Sequence, residues 1–74
     1  MYHGYILGSY ENERGETVHN VMIWSTVADP PSSMSQVKNI GDDVKLAVGS
    51  SFLYPDGGEV QFWLSDEAWH RWGG

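Results

Sequence analysis

The chain has 74 residues, ten acids against four bases, a formal net charge of −6 and no cysteine. One domain of this size buries only about 60% of the surface its unfolded form exposes, and without cysteine neither a disulfide nor a thiolate zinc site can reinforce it. Arg14, Lys38, Lys45 and Arg71 are too few and too scattered to displace counterions from phosphates, which argues against direct nucleic-acid binding.

The first predicted element is a β-hairpin. Tyr2 to Tyr10 is rich in aromatic and aliphatic residues, Glu11 to Glu16 is a polar turn containing Gly15, and Thr17 to Val27 is β-branched and aromatic. If Glu11 faces Glu16, Ile6 meets Val21 and Gly4 meets Ile23 on one face, while Tyr5 meets Met22 and His3 meets Trp24 on the other. Both faces are then apolar, so the hairpin is expected to be covered on both sides, by the helix predicted to follow it on one and by another strand layer, a second subunit or a target on the other. Tyr2, Tyr5, Met22 and Trp24 are the candidate residues of that oligomer or apolar interface.

Asp29, Pro30 and Pro31 stop the second strand, and Ser32 and Ser33 supply N-cap candidates for the next segment. Met34, Val37, Ile40, Val44 and Val48 then recur at spacings of three and four, with Gly49 at the C′ position, which predicts a helix from about Ser33 to Val48. Gly41 and the alternation of Val44, Leu46 and Val48 leave a barrel strand as the alternative for this stretch.

A second hairpin follows from Ser50 to Leu64, turned by Pro55, Asp56, Gly57 and Gly58. Leu53, Val60, Phe62 and Leu64 share one face, and Phe52, Tyr54 and Trp63 lie on the other with Gln61. The closing SDEAWHRW segment, residues 65–72, has Ser65 as an N-cap, Asp66 and Glu67 at the positive end of a helix dipole, and Trp69 and Trp72 three apart on one face. It is predicted as a short helix whose indoles cover the end of the sheet. The expected fold is therefore a single α+β domain, 1–74, of order ββαββα, two β-hairpins with an amphipathic helix between them and a short C-terminal helix. A small all-β barrel is the alternative.

No phosphate-binding loop or nucleophile elbow is present, and His3, His19 and His70 form no close-spaced pair, so the expectation is a protein without enzymatic activity, metal or cofactor. The N-terminus lacks the basic region and apolar run of a secretory signal, and no segment approaches the ~18 apolar residues of a membrane span, which predicts a cytoplasmic protein. Acids gather at the predicted hairpin tips and terminal helix: Glu11, Glu13 and Glu16; Asp56 and Glu59; Asp66 and Glu67. These carboxylates are the candidate partner-binding residues, because they would steer the chain onto a basic protein surface. The expected function is a small acidic binding protein, a homodimer, that inhibits a partner with a basic surface, such as a nucleic-acid-binding protein. In type it resembles phage and mobile-element inhibitors of host enzymes such as anti-CRISPR proteins, and antitoxin or immunity proteins.

Two other readings remain open. The chain ends in Gly73 and Gly74, and PDGGEVQFW is similar to the strand that precedes the tail of sulfur carriers. The resemblance to ubiquitin-like modifiers and sulfur carriers implies a β-grasp domain whose terminal glycine carboxylate is the reacting group. The bulky Trp69 and Trp72 depart from the narrow, extended tail of those families. A virion or assembly component, built by repeating one apolar interface, is the third reading.

Overall fold

The computed structural model describes residues 1–72. Its β1 (Tyr2–Glu11), β2 (Thr17–Ser25), β3 (Val37–Lys38), β4 (Ser51–Tyr54), β5 (Glu59–Trp63) and β6 (Trp69–Arg71) form one mixed sheet in the order β3-β1-β2-β4-β5-β6. The only helical turns are the 3-10 segments Met34–Gln36 and Pro55–Gly57 among the described residues. The α+β class and both predicted helices are therefore corrected to an all-β sheet. The all-β alternative fits, as an open sheet bounded by β3 and β6.

The first hairpin follows its apolar pattern. Ile6 pairs with Val21, Gly4 with Ile23, Tyr5 with Met22 and His3 with Trp24, as the sequence predicts. A bulge between Ile6 and Gly8 then shifts the register, so that Glu11 faces Thr17 instead of Glu16. The second hairpin pairs Phe52 with Gln61 and Leu53 with Val60, and Gly58 closes its turn at φ 65, in the left-handed region that glycine tolerates.

Residues 26–50, in place of the predicted helix, form a strap across one face of the sheet. It begins as expected: Ser33 caps Met34–Gln36, and the Gln36 side chain returns a bond to the Ser33 backbone. The helix stops after one turn because Asn39, Gly41, Asp42 and Asp43 are poor helix formers and Asn39 sits at φ 70. Val37 and Lys38 instead pair in parallel with Tyr2 and His3. The strap then crosses back over Gly4, and Leu46 bridges His19 beside β2. Met34, Ile40, Val44 and Leu46 still pack on the core, which consists of Val21, Ile23, Val37 and Phe52. An apolar spacing of three and four therefore marks residues that reach one core, without requiring a helix to present them.

Ser50 closes the join between the strap and β4. The Val21 N–H has no strand partner there and donates to Ser50 Oγ at 3.1 Å, while Ser50 Oγ–H donates to the His19 carbonyl at 3.3 Å. Ser50 is wholly buried, and no buried side-chain polar atom among the described residues lacks a partner.

The terminal segment is also strand. A turn through Glu67 (φ 58) sends the chain back beside β5, and Trp63 pairs with Trp69 and Phe62 with His70. Strand alternation puts Trp69 and Trp72 on opposite faces, which corrects their predicted shared face. Trp69 lies 6.0 Å from Phe52 on the inner, strap-covered face, and Trp72 lies 5.7 Å from Phe62 on the outer one.

Candidate binding surface

The strap covers one face of the sheet, and the strand register determines what remains on the other. Alternation puts His3, Tyr5 and Tyr10 of β1, Met22 and Trp24 of β2, Leu53 of β4, Val60 and Phe62 of β5 and His70 of β6 on this outer face, with Trp72 just beyond. His3, Tyr5, Met22 and Trp24 line a groove of about 440 Å³, in which the His3 and Trp24 rings are 6.0 Å apart. A second apolar groove, of about 310 Å³, lies across β5 and β6 at Phe62, Leu64 and Trp72. Tyr5 and Trp72 are largely exposed, at 48% and 77%.

Of the four candidate interface residues, Tyr5, Met22 and Trp24 share this outer groove. Tyr2 belongs to the inner face, 6.2 Å from Phe52, and its hydroxyl donates to the Asp29 carbonyl at 2.6 Å. Desolvation, with the nearby Asp29 charge as a smaller cause, holds the Tyr2 phenol above its ordinary pKa. Leu53, Val60 and Phe62 were legible as one face of a hairpin. Joining that face to Tyr5 and Trp24 requires the parallel pairing of β4 with β2 (Ile23 with Phe52), which no local pattern reports.

The strand positions of the outer face carry no carboxylate. Their only ionisable side chains besides tyrosine are His3, His70 and Lys38. The acids stand at the ends and along the inner side. Because β4 runs parallel to β2, the turn holding Asp56 lies at the opposite end of the sheet from Glu11, Glu13 and Glu16. Glu13 and Arg14 share a cleft with Leu64, Ser65 and Glu67, so the first hairpin tip and the 65–68 turn form one end of the molecule.

Three of the seven candidate acids are paired within the chain. Glu16 bonds Lys45 at 2.9 Å, Asp66 bonds His70 at 2.8 Å, and Glu59 pairs with Arg71. The Lys45 hydrogen bond, followed by that from Asn12, holds the Glu16 carboxyl below its ordinary pKa. Glu11, Glu13, Asp56 and Glu67 make no ion pair among the described residues. Their charge is therefore available to solvent or to a partner.

On the inner side, a cleft of about 440 Å³ lies between the strap and β5–β6, floored by Met34, Val44, Trp63 and Trp69, with Lys45 and Glu67 at its rim. No group of three or more His, Cys, Asp or Glu side chains among the described residues is placed to hold a metal ion. No helix of the described residues is long and apolar enough to cross a membrane. Gly73 and Gly74, the basis of the modifier reading, lie outside the described residues. Compared with protein-family models, curated proteins and solved structures, the chain has no match.

Proposed function

We propose that this is a cytoplasmic, non-enzymatic binding protein that inhibits a protein partner by occupying its surface, of the anti-defence or antitoxin/immunity type. The observation that carries this reading is the outer face, where Tyr5, Met22, Trp24, Leu53, Phe62 and Trp72 form an aromatic-rich surface free of carboxylates. Aromatic residues and methionine are enriched where partners bury surface. The carboxylates of Glu11, Glu13, Asp56 and Glu67 at the two ends supply a negative rim, which steers encounter with a basic surface more than it adds affinity. The matching partner has an apolar centre within a basic rim, and the basic surface of a nucleic-acid-binding protein could supply that rim.

Affinity capture with the wild type, Trp24→Ala and Glu13→Lys/Glu67→Lys, each over a salt series, tests this. A basic protein should be retained by the wild type, lost with Trp24→Ala, and captured more slowly and with weaker salt dependence by the charge-reversed variant. Capture that is insensitive to both variants would overturn the reading.

A further inference from the structure

β1 is ten residues long, and its outer neighbour β3 pairs only with Tyr2 and His3. From Tyr5 to Glu11 no strand of the described residues lies on that side, and among the described residues these positions make no backbone hydrogen bond except to β2. Outward-pointing N–H and C=O groups there form an open ladder, the template to which another strand adds. The stretch Tyr5–Tyr10 carries four large, largely exposed apolar side chains: Tyr5, Ile6, Leu7 and Tyr10. It has neither a charge nor a proline to blunt it.

We infer that this edge pairs with its own copy, β1 against β1 in antiparallel orientation about a two-fold axis between Leu7 and Gly8, joining two six-stranded sheets into one of twelve strands. Directly opposed residues in an antiparallel pair must share a face. The bulge at Leu7 decides the register, because it sets Tyr5, Gly8 and Tyr10 on the outer face and Ile6, Ser9 and Glu11 on the inner one. The pairing that covers the whole free edge with matched faces puts Tyr5 opposite Tyr10 of the second copy and Ile6 opposite its Ser9. Shifting the strands by one residue opposes inner to outer positions at every pair except the one on the axis.

The length of the edge also fits a second copy. β3 closes the edge at His3, and β1 ends at Glu11, so in this register Glu11 of one copy stops opposite Gly4 of the other, one position beyond Lys38. Glu11 and Lys38 stand on opposite faces of the sheet, so this register sets no charge directly against another across the new ladder. The two copies of Glu11 stand roughly 23 Å apart at ~3.3 Å per residue, beyond the ~8 Å Debye length at physiological salt. The opposite sheet edge, β6, has only three residues. The pairing therefore closes as a dimer and does not propagate.

Sedimentation equilibrium of the wild type from micromolar to millimolar concentration should show a reversible monomer–dimer equilibrium. Leu7→Lys puts two ammonium groups beside the axis and should weaken the dimer by roughly a hundredfold. Leu7 is 62% exposed, so the variant should keep the wild-type circular dichroism. The chain has no cysteine, which permits a register test with a short bismaleimide. A mixture of Tyr5→Cys and Tyr10→Cys chains should cross-link, while either chain alone should not, since its two thiols sit five positions apart along the ladder. A wild-type monomer at all concentrations, a dimer unaffected by Leu7→Lys, or cross-linking of Tyr5→Cys alone would overturn the inference. A foreign protein that adds a strand to this edge while the free chain stays monomeric would overturn the choice of partner.

Discussion

The strap's path over β1 makes Gly4→Ala a sharp probe of the fold. A Cβ at Gly4 would stand 2.2 Å from Ile40 Cγ1, 2.9 Å from Ile40 Cδ1 and 2.8 Å from Val37 Cγ1. Carbons in contact sit about 3.5–4.0 Å apart, so Ile40 has to retreat by more than ~1 Å. Its β-branched side chain has few rotamers in which to do so. Overpacking of this kind costs about 1–3 kcal/mol, and replacing glycine by alanine returns about 0.4–1 kcal/mol through the unfolded chain. With two branched side chains overlapped, a net loss of about 2 kcal/mol is expected. Ile40→Ala alone should also cost about 2 kcal/mol, the low end for a large-to-alanine change, because Ile40 is half-exposed. In the double variant the overlap with Ile40 is gone and only that with Val37 Cγ1 remains, so Gly4→Ala should cost clearly less on the Ile40→Ala background than in the wild type. Urea unfolding followed by tryptophan fluorescence yields the midpoints and slopes for the four proteins of this cycle. Losses that simply add, or a Gly4→Ala protein as stable as the wild type, would refute the placement of the strap.

The join at Ser50 and the terminal strand supply further tests. Ser50→Ala leaves the buried Val21 N–H without an acceptor and should cost about 1–3 kcal/mol in the same urea assay, whereas Ser35→Ala, at an exposed position, should cost far less. Trp69→Ala should cost about 2–3 kcal/mol, below the ~3–5 kcal/mol of a fully buried indole, because Trp69 is only partly covered by Phe52 and Trp63. Trp72→Ala, at a 77% exposed position, should leave stability nearly unchanged. The Tyr2 phenol is held above the ordinary 10.0, so its contribution to stability is complete below the unfolded pKa and is lost as pH rises through the folded one. Absorbance titration at alkaline pH should therefore show a late-ionising tyrosine that Tyr2→Phe removes. Glu16, lowered by Lys45 and Asn12, acts in the opposite sense. Its contribution is present above the unfolded carboxylate pKa and is lost as pH falls through the folded value, so Lys45→Met should flatten the acid limb of the stability profile.

Pairs separated by a short turn were legible in the sequence, and the long crossover was not. The partners of His3, Gly4, Tyr5 and Ile6 follow from a polar turn and two alternating apolar runs, and Pro55 with Gly58 sets the second hairpin by local backbone geometry. The bulge after Ile6 has a weaker signature, the small residues Gly8 and Ser9 that follow it. Met34, Val37, Ile40 and Val44 do converge on one core, yet that convergence is shared by a helix and by a strap with a 3-10 turn and a two-residue strand. Propensity decides between them through Asn39, Gly41, Asp42 and Asp43. At residues 65–72 the cap residues Ser65, Asp66 and Glu67 serve a tight turn equally well. An eight-residue helix has to bear its nucleation cost alone, whereas β5 offers Trp69–Arg71 a ladder already half built. The seven candidate acids were read from the sequence as one steering set. The sheet divides them between two ends, pairs Glu16 and Glu59 with basic side chains and hydrogen-bonds Asp66 to His70, and the division between ends is set by the parallel placement of β4 beside β2.

The edge and the outer face have linked consequences for binding. Two-fold pairing through β1 sets the two outer faces side by side, with Tyr5 of each copy against Tyr10 of the other, and so offers a partner two copies of the Tyr5–Met22–Trp24 groove. A partner that contacts both gains effective concentration, which raises the overall affinity by roughly 10²–10⁴-fold without any new contact. Leu7→Lys, made monomeric, should then bind such a partner with one-site affinity and a faster off-rate, while its association keeps the salt dependence set by the unpaired acids. Trp24→Ala removes the contact itself and should weaken each site whether or not the dimer forms. Calorimetry of the two variants against the captured partner separates these effects: the first should change the stoichiometry of the complex, and the second should leave stoichiometry intact while raising Kd. Equal affinity and stoichiometry for Leu7→Lys and the wild type would mean that the partner sees one copy at a time, and the edge pairing would then have no part in its capture.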